Sequence, residues 1–440
     1  MNNLEKLFAE KRTENGDISY NTTGNNLLDI LFMTSYFEKH LDEVKIGDSY
    51  KDRLFSMFIR DPRYGLGRRD LGRELMKQSK VPADNVVKAG RFDDLWHNPT
   101  IANLDLLKDE LYEGNELAMK WMPRLTSKNR KIAKALCKEW GLTEREYRKL
   151  IKCSTTVEYK LSYAEKTKTN PLEELFNKVN HPLVDTINFE QVPSLAMVKY
   201  YDRFARGEDT KERFATYLES VKKGEKKLNI STTNVYDIYK NRDKIDADLF
   251  FDKLEKISIN CIPIIDTSGS MNWGGEDAYG KAMSIGHYLS KCSTYCNGYA
   301  IPFSSKPYLM KINGNTYIEE IRSLHTGDCS NTDFGKVMNL LQGLEELPEY
   351  LVVLSDMEFD SGSNQSKKEL QRLWKEKGYT TKIVWWNFNS RNKTVPETDE
   401  MGNIFLSGYS PMLLKFLETG FDGEAFVDKL LTEYSKNIDF

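Results

Sequence analysis

Apolar positions in the first 250 residues recur at helical steps. Leu27, Leu28, Leu31, Phe32 and Tyr36 follow one another at three- and four-residue intervals behind Asn25 and Asn26, which suit a helix start. Ile132, Leu136 and Trp140 make one stripe at i, i+4, i+8, Lys131, Lys134 and Lys138 occupy another face, and Gly141 ends that helix. The same spacing predicts helices over 104–122, 144–152, 170–180, 193–206 and 211–222. Nothing between residues 20 and 250 alternates as a strand does. Antiparallel helix pairs stacked into a solenoid-like array follow from this pattern, each pair hiding its apolar face against its neighbours, without a strict sequence repeat.

After about residue 255 the pattern changes. Ile257 to Ile265 is a β-rich apolar run, followed by a Gly/Ser turn and a helix from about Glu276 to Cys292. Short strands are predicted at Tyr299–Phe303, Tyr308–Ile312 and Asn403–Leu406, and buried ones at Tyr350–Leu354 and Lys382–Phe388. Helices are predicted at Phe334–Leu344, Lys367–Lys377, 411–418 and 423–436. Strands alternating with helices imply a doubly wound, mostly parallel sheet. Trp385 and Trp386, adjacent on one strand, are expected to face opposite helix layers. The polar stretch at 240–244 puts the boundary near 250, giving domains of 1–250 and 251–440 and an α + α/β fold class.

Charge sharpens this picture. The chain as a whole is nearly balanced at -3, yet residues 51–150 carry 22 basic side chains against 15 acidic ones, which points to a polyanion partner. No apolar run approaches the ~18 residues of a membrane span, and the charged stretch from Met1 to Asp17 has no signal-peptide character. Six cysteines in 440 residues make no disulfide framework, so a reducing cytoplasm is expected. Cys292 and Cys296 lie one helical turn apart without a second pair to complete a zinc shell.

The chemistry concentrates at Asp266-Thr267-Ser268-Gly269-Ser270. An apolar strand delivers an aspartate at its carboxyl end, where open α/β sheets place ligands, and hydroxyls follow at alternate positions. Asp266, Ser268 and Ser270 offer one carboxylate and two hydroxyls to a hard divalent cation. Two further strand-end loops, Ser330-Asn331-Thr332-Asp333 and Ser355-Asp356, stand ready to complete its shell. The competing use of this loop is a metal-free Asx/ST turn. This D-x-S-x-S, T, D pattern over residues 256–440 resembles the metal-ion-dependent adhesion site of von Willebrand factor A domains. The resemblance implies that Asp266, Ser268 and Ser270 ligate Mg²⁺ (or Mn²⁺ or Ca²⁺), with Thr332 as a third hydroxyl and Asp356 bonding directly or through water. It implies too that an acidic group on a partner completes the coordination; Asp333 is assigned either to the site or to capping the next helix. A P-loop at Gly275–Ala282 fails for want of the final Ser/Thr, and an aspartyl phosphotransferase fails because Ser268 stands where a second acid is needed. His287 is expected to pack in its helix and His325 to approach the metal loop.

The segments Asp61-Pro62-Arg63-Tyr64-Gly65-Leu66-Gly67-Arg68-Arg69 and Gly90-Arg91-Phe92-Asp93-Asp94-Leu95-Trp96 resemble the helical domain of the Ro autoantigen (TROVE-type) family. Leu117–Pro123, Tyr147–Leu150 and Val192–Ser194 are more similar to an uncharacterised Ro-like family. The resemblance implies a HEAT-like helical-repeat ring or arc closed by a von Willebrand factor A domain, and a ribonucleoprotein function on structured or misfolded small RNA. Phosphate ligands are then sought among Arg60, Arg63, Arg68, Arg69 and Arg73, and among Lys128, Arg130, Lys131, Lys134 and Lys138. Lys222, Lys223, Lys226 and Lys227 form a third basic cluster. The arginines' competing use is salt bridging to Asp61, Asp70 and Glu74, and the lysines' is a solvated face. Arg91 and Asp93 are assigned to internal pairing, and Trp96, Trp121 and Trp140 to the core. The expected protein is a non-enzymatic, monomeric RNA binder open to higher assembly and without membrane contact. The alternative is a protein–protein adaptor that captures an acidic partner residue at the metal.

Overall fold

The computed structural model describes residues 10–44, 58–59, 65–78, 81–151, 187–230, 233–272, 277–389, 393–397, 402–409 and 413–414. Arg60 and Arg63 and the helices expected at 170–180 and 423–436 lie outside the described residues, as does most of 411–418. The chain forms two compact units, one of residues 1–50 with 234–431 and one of 51–233 with 432–440.

The second unit is helical. Helices Ala83–Ala89, Phe92–His97, Ile101–Tyr112 and Glu116–Trp121 each contact the next along the chain, as do Arg130–Glu139 with Glu144–Leu150, and Ser194–Arg206 with Lys211–Lys222. The single helix expected over 104–122 is broken at Gly114, whose φ of +84° no helix interior adopts; Asn115 then caps a second helix by accepting from the Leu117 and Ala118 amides. The stripe on Arg130–Glu139 behaves as its spacing predicts: Ala133, Leu136 and Cys137 are buried while Lys131, Lys134 and Lys138 stay in water. Trp96 and Trp140 are buried. Trp121 is half-buried with the Arg91 guanidinium 4.5 Å from its ring.

The first unit is built on a six-stranded mixed sheet in the order β5-β4-β3-β6-β7-β8, with β3 Cys261–Asp266, β4 Tyr299–Phe303, β5 Met310–Lys311, β6 Tyr350–Ser355, β7 Lys382–Asn387 and β8 Ile404–Ser407. All neighbours are parallel except β4 with β5. β3 and β6 are buried along their whole length, which is why both read as unbroken apolar runs. Helix Ala278–Cys292 lies on β3 so closely that a Cβ on Gly286 would come 2.4 Å from Ile265 Cδ1. Trp385 and Trp386 are fully buried; Trp385 meets Phe334 at 5.3 Å and Trp386 stacks with Phe388. The polar stretch at 240–244 runs from the end of helix Val235–Asn241 towards helix Ala247–Lys253, both within this unit.

An N-terminal segment completes the sheet unit. Strands β1 Glu10–Arg12 and β2 Ile18–Tyr20 form an antiparallel hairpin, and Tyr20 exchanges backbone hydrogen bonds of 2.9 and 2.8 Å with Val395. Helix Asn26–Phe32 packs on β8, where Phe32 meets the Phe405 ring edge-on at 5.6 Å and Ser35 bonds Ser407 at 3.1 Å. The helical spacing around Leu28, Leu31 and Phe32 therefore serves the sheet's core, in a segment the sequence assigns to the helical half.

Candidate metal centre

In register, Ile265 of β3 stands beside Leu354 of β6, so Asp266 and Ser355 leave the sheet at the same level. The chain continues from β3 to β4 on one side while β6 lies on the other, which makes this edge a topological switch point. Asp266 is fully buried. Its Oδ2 accepts the Ser355 hydroxyl at 2.5 Å and its Oδ1 accepts the Ser268 amide at 2.9 Å. The Ser268 and Ser270 hydroxyls lie 3.0 Å apart. Thus Asp266, Ser268 and Ser270 come together as their alternation predicts, and Ser355 joins them.

Asp356, 2% exposed, follows directly on β6. Burial first, and then the negative charge of Asp356, push the Asp266 carboxyl above its ordinary range. The bonds to Asp266 come from a hydroxyl and an amide. The backbone turns sharply here: Met357 has φ +66°, a left-handed conformation that costs a non-glycine residue about 1 kcal/mol or more, and its amide bonds the Ser355 hydroxyl at 2.9 Å.

The third loop crosses the first. The Thr267 hydroxyl donates to Phe303 and Asp328 carbonyls at 3.0 and 3.1 Å, and the Gly269 amide donates to the Cys329 carbonyl at 2.9 Å. A Cβ on Gly269 would stand 3.2 Å from that carbonyl, so the approach favours glycine. Asp328 ties its own loop by accepting the Ser305 and Ser330 hydroxyls at 2.7 and 2.8 Å, bonds that hold its carboxyl down to about 2. Thr332 is buried and its backbone is held by Asp360, whose Oδ2 accepts the Thr332 amide at 3.2 Å and whose amide donates to the Thr332 carbonyl at 2.9 Å. Asp333 caps helix Phe334–Gln342 by accepting the Lys336 amide at 3.1 Å.

Two carboxylates and a run of hydroxyls are oxygen donors that suit a small hard dication better than a soft metal. Among the described residues no group of three or more His, Cys, Asp or Glu side chains is placed to hold a metal ion. Cys296 lies beyond the helix that ends at Cys292 and donates its thiol to the Cys261 carbonyl at 3.4 Å. Among the described residues of the P-loop-like stretch, Asp277 caps a helix and the Lys281 amine is buried 4.9 Å from the Tyr409 ring. His287 is buried and bonds Glu320 at 2.7 Å, and exposed His325 bonds the Tyr279 hydroxyl at 2.8 Å.

The basic candidates of the helical unit divide in two. Arg73 donates to Asp93 at 2.9 Å and to Asp94 at 2.8 Å; Arg69 pairs with Asp94 and donates to the Ile59 carbonyl at 2.9 Å. Asp94 is fully buried, so these guanidiniums hold a carboxylate that would otherwise be isolated, and the partners are Asp93 and Asp94 more than the expected Asp70. Arg69 and Arg73 are accordingly structural cations. Arg68 is half-buried. Lys128, Arg130, Lys131, Lys134 and Lys138 are exposed, with Lys134 in a loose 3.4 Å pair with Glu144.

The family described as a domain of unknown function (DUF7788) matches residues 260–437, and another, DUF2828, matches residues 106–247. The chain is 25% identical to an uncharacterized protein, L728, of Acanthamoeba polyphaga mimivirus, over 92% of this chain and 83% of that protein. Among solved structures it is similar to the Ro (RSR) protein of Deinococcus radiodurans, with a TM-score of 0.44 and 10% identity over 94% of each chain.

Proposed function

We propose that this chain is a non-enzymatic RNA-binding protein whose α/β unit holds one divalent cation. The observation that carries the cation is the buried pair Asp266 and Asp356 at the sheet's switch point, flanked by the Ser268, Ser270 and Ser355 hydroxyls. Asp266, Ser268, Ser270, Thr332 and Asp356 would hold Mg²⁺, Mn²⁺ or Ca²⁺. When bound, the cation neutralises the two carboxylates and offers a Lewis-acidic position to an oxygen ligand. Asp266 orients the serine loop through its bond to the Ser268 amide, and Ser355 orients Asp266.

RNA binding is supported by the exposed row Lys128, Arg130, Lys131, Lys134 and Lys138, spaced along one helix and the turn before it, and by the Ro-like motifs of the same unit. Cations so placed neutralise successive phosphates and release counterions. The test is retention of a structured small RNA by the full chain at low salt, with nuclease-treated protein as the starting material. Retention that weakens steeply with salt is expected; protein that leaves the RNA unretarded refutes the reading.

A second reading, a protein–protein adaptor, is favoured by one observation: Ser270 is half-exposed, so a partner carboxylate could approach a cation held by this serine loop. Partner capture that is lost with chelator and with Asp266→Ala, yet indifferent to nuclease, distinguishes it.

A further inference from the structure

We propose that the N-terminal hairpin is a clamp on the cation site, with Thr13 and Asn15 as positioning residues, an inference that rests on the cation reading above. The loop after β6 is gripped in its middle by the hairpin turn, some 345 residues away in sequence. The Thr13 hydroxyl donates to the Phe359 carbonyl at 2.7 Å, the Asn15 side-chain amide donates to the Glu358 carbonyl at 2.7 Å, and the Glu14 backbone amide donates to Glu358 Oε2 at 2.7 Å. Gly16 pairs with Asp360 as an isolated antiparallel bridge.

The two ends of the gripped segment are tied to the two outer metal loops. At one end the Glu358 amide donates to Asp356 Oδ1 at 3.4 Å. At the other, Asp360 exchanges two hydrogen bonds with the backbone of Thr332. Between them sits Met357 in a left-handed conformation that only surrounding contacts can maintain. A segment of five residues therefore connects ligands from two separate loops, and the hairpin turn supplies three side-chain-mediated bonds that fix it. Glu358 is 4% exposed, so its bonds form away from competing water. Loosening the hairpin lets Asp356 and Thr332 drift relative to Asp266, and by reciprocity a bound cation tightens the hairpin.

The test uses the full chain with Thr13→Val and Asn15→Ala combined, and Mg²⁺ alone as the probe. Asn15 is exposed, whereas Thr13 is buried and its hydroxyl also accepts the Asp17 amide at 2.9 Å, so the unfolding midpoint of the chelated double variant is recorded alongside to separate loss of the clamp from loss of the fold. Calorimetric Mg²⁺ affinity is expected to fall roughly five- to tenfold, the effect of about one hydrogen bond. Thr13→Ser, which keeps the hydroxyl, and Lys11→Ala, at an exposed position of β1, are expected to bind as the parent does. Mg²⁺ is also expected to slow amide exchange at residues 13–16. If the parent binds Mg²⁺ and the double variant binds it equally well, the clamp is refuted while the cation reading stands. If the parent binds no divalent cation, the cation reading fails and the clamp falls with it.

Discussion

The Ser355 hydroxyl donates to Asp266 Oδ2 across two neighbouring parallel strands at 2.5 Å. That bond joins the ends of β3 and β6, and the two buried carboxylates at this edge follow from it: Asp266 is oriented by the strand that carries Asp356. The strands' register sets the level of these two carboxylates, and the loops bring the hydroxyls to them.

The proposed cation would bind the folded state alone and so stabilise it. At about a hundred times its Kd, Mg²⁺ adds about 2.7 kcal/mol. For a unit of this size that is a rise in Tm of roughly 5–10 °C, reversed by chelator. Asp266→Asn is expected to abolish the rise. In chelator the same variant is expected to melt close to the parent, because removing a like-charge pair with Asp356 offsets the loss of one of the two acceptors that take the Ser355 hydroxyl and the Ser268 amide. Differential scanning calorimetry with and without Mg²⁺ reads both.

On the helical unit, the triple substitution Lys131→Ala, Lys134→Ala and Lys138→Ala changes only the exposed face of its helix, away from buried Ala133, Leu136 and Cys137. Helix content is expected to be unchanged. RNA affinity falls, and the slope of log K against log salt shrinks by about 2, given about 0.7–0.9 for each lost phosphate contact. Filter binding over a salt series measures it. An unchanged slope assigns the lysines to solvation alone.

Asp94 anchors a different kind of charge. Fully buried, it accepts from Arg69, Arg73 and the Arg91 amide. Asp94→Ala leaves two guanidiniums without their central partner and is expected to destabilise the helical unit by about 3–5 kcal/mol. Urea unfolding, followed through the buried Trp96 that lies two residues away, reports it. Any loss of RNA binding in this variant tracks unfolding, unlike the loss from the lysine triple variant.

Acid sensitivity has an identifiable contributor in the same unit. Burial, and then the positive charge of Arg73, pull the His97 imidazole down to about 4. Its folded value lies below its ordinary 6.5, so folding favours the neutral ring. That contribution is whole above pH 6.5 and disappears as pH falls towards 4. His97→Gln is expected to flatten this part of the profile, read as the difference in urea midpoint between parent and variant across that window. A constant difference removes His97 as the cause.

Much of the sheet unit is legible in the chain. β3, β6 and β7 are unbroken apolar runs because both faces are covered, and Asp266 stands where the first run stops. The serine alternation brings Ser268 and Ser270 together because it belongs to one short loop. What periodicity does not carry is the identity of the partner surface. The spacing of Leu28, Leu31 and Phe32 marks a buried face without saying that β8 covers it. Three-residue strands such as β1 and β2 are too short to alternate visibly, and the bonds of their hairpin reach residues 358–360 and 395. The pairing of Arg69 and Arg73 is hidden similarly, since the Asp94 they hold lies more than twenty residues away while Asp70 and Glu74 stand closer in sequence.

The hairpin's distant partners bear on the order of assembly during translation. A ribosome adding about 5–20 residues per second makes residues 13–20 on the order of tens of seconds before residues 357–395 exist to receive them. The early segment must wait undocked until those partners are made, and its closure onto them is a long-range contact of the slowly formed kind. Maturation of the α/β unit thereby waits on the synthesis of residues 358–395, whatever the helical unit has already become.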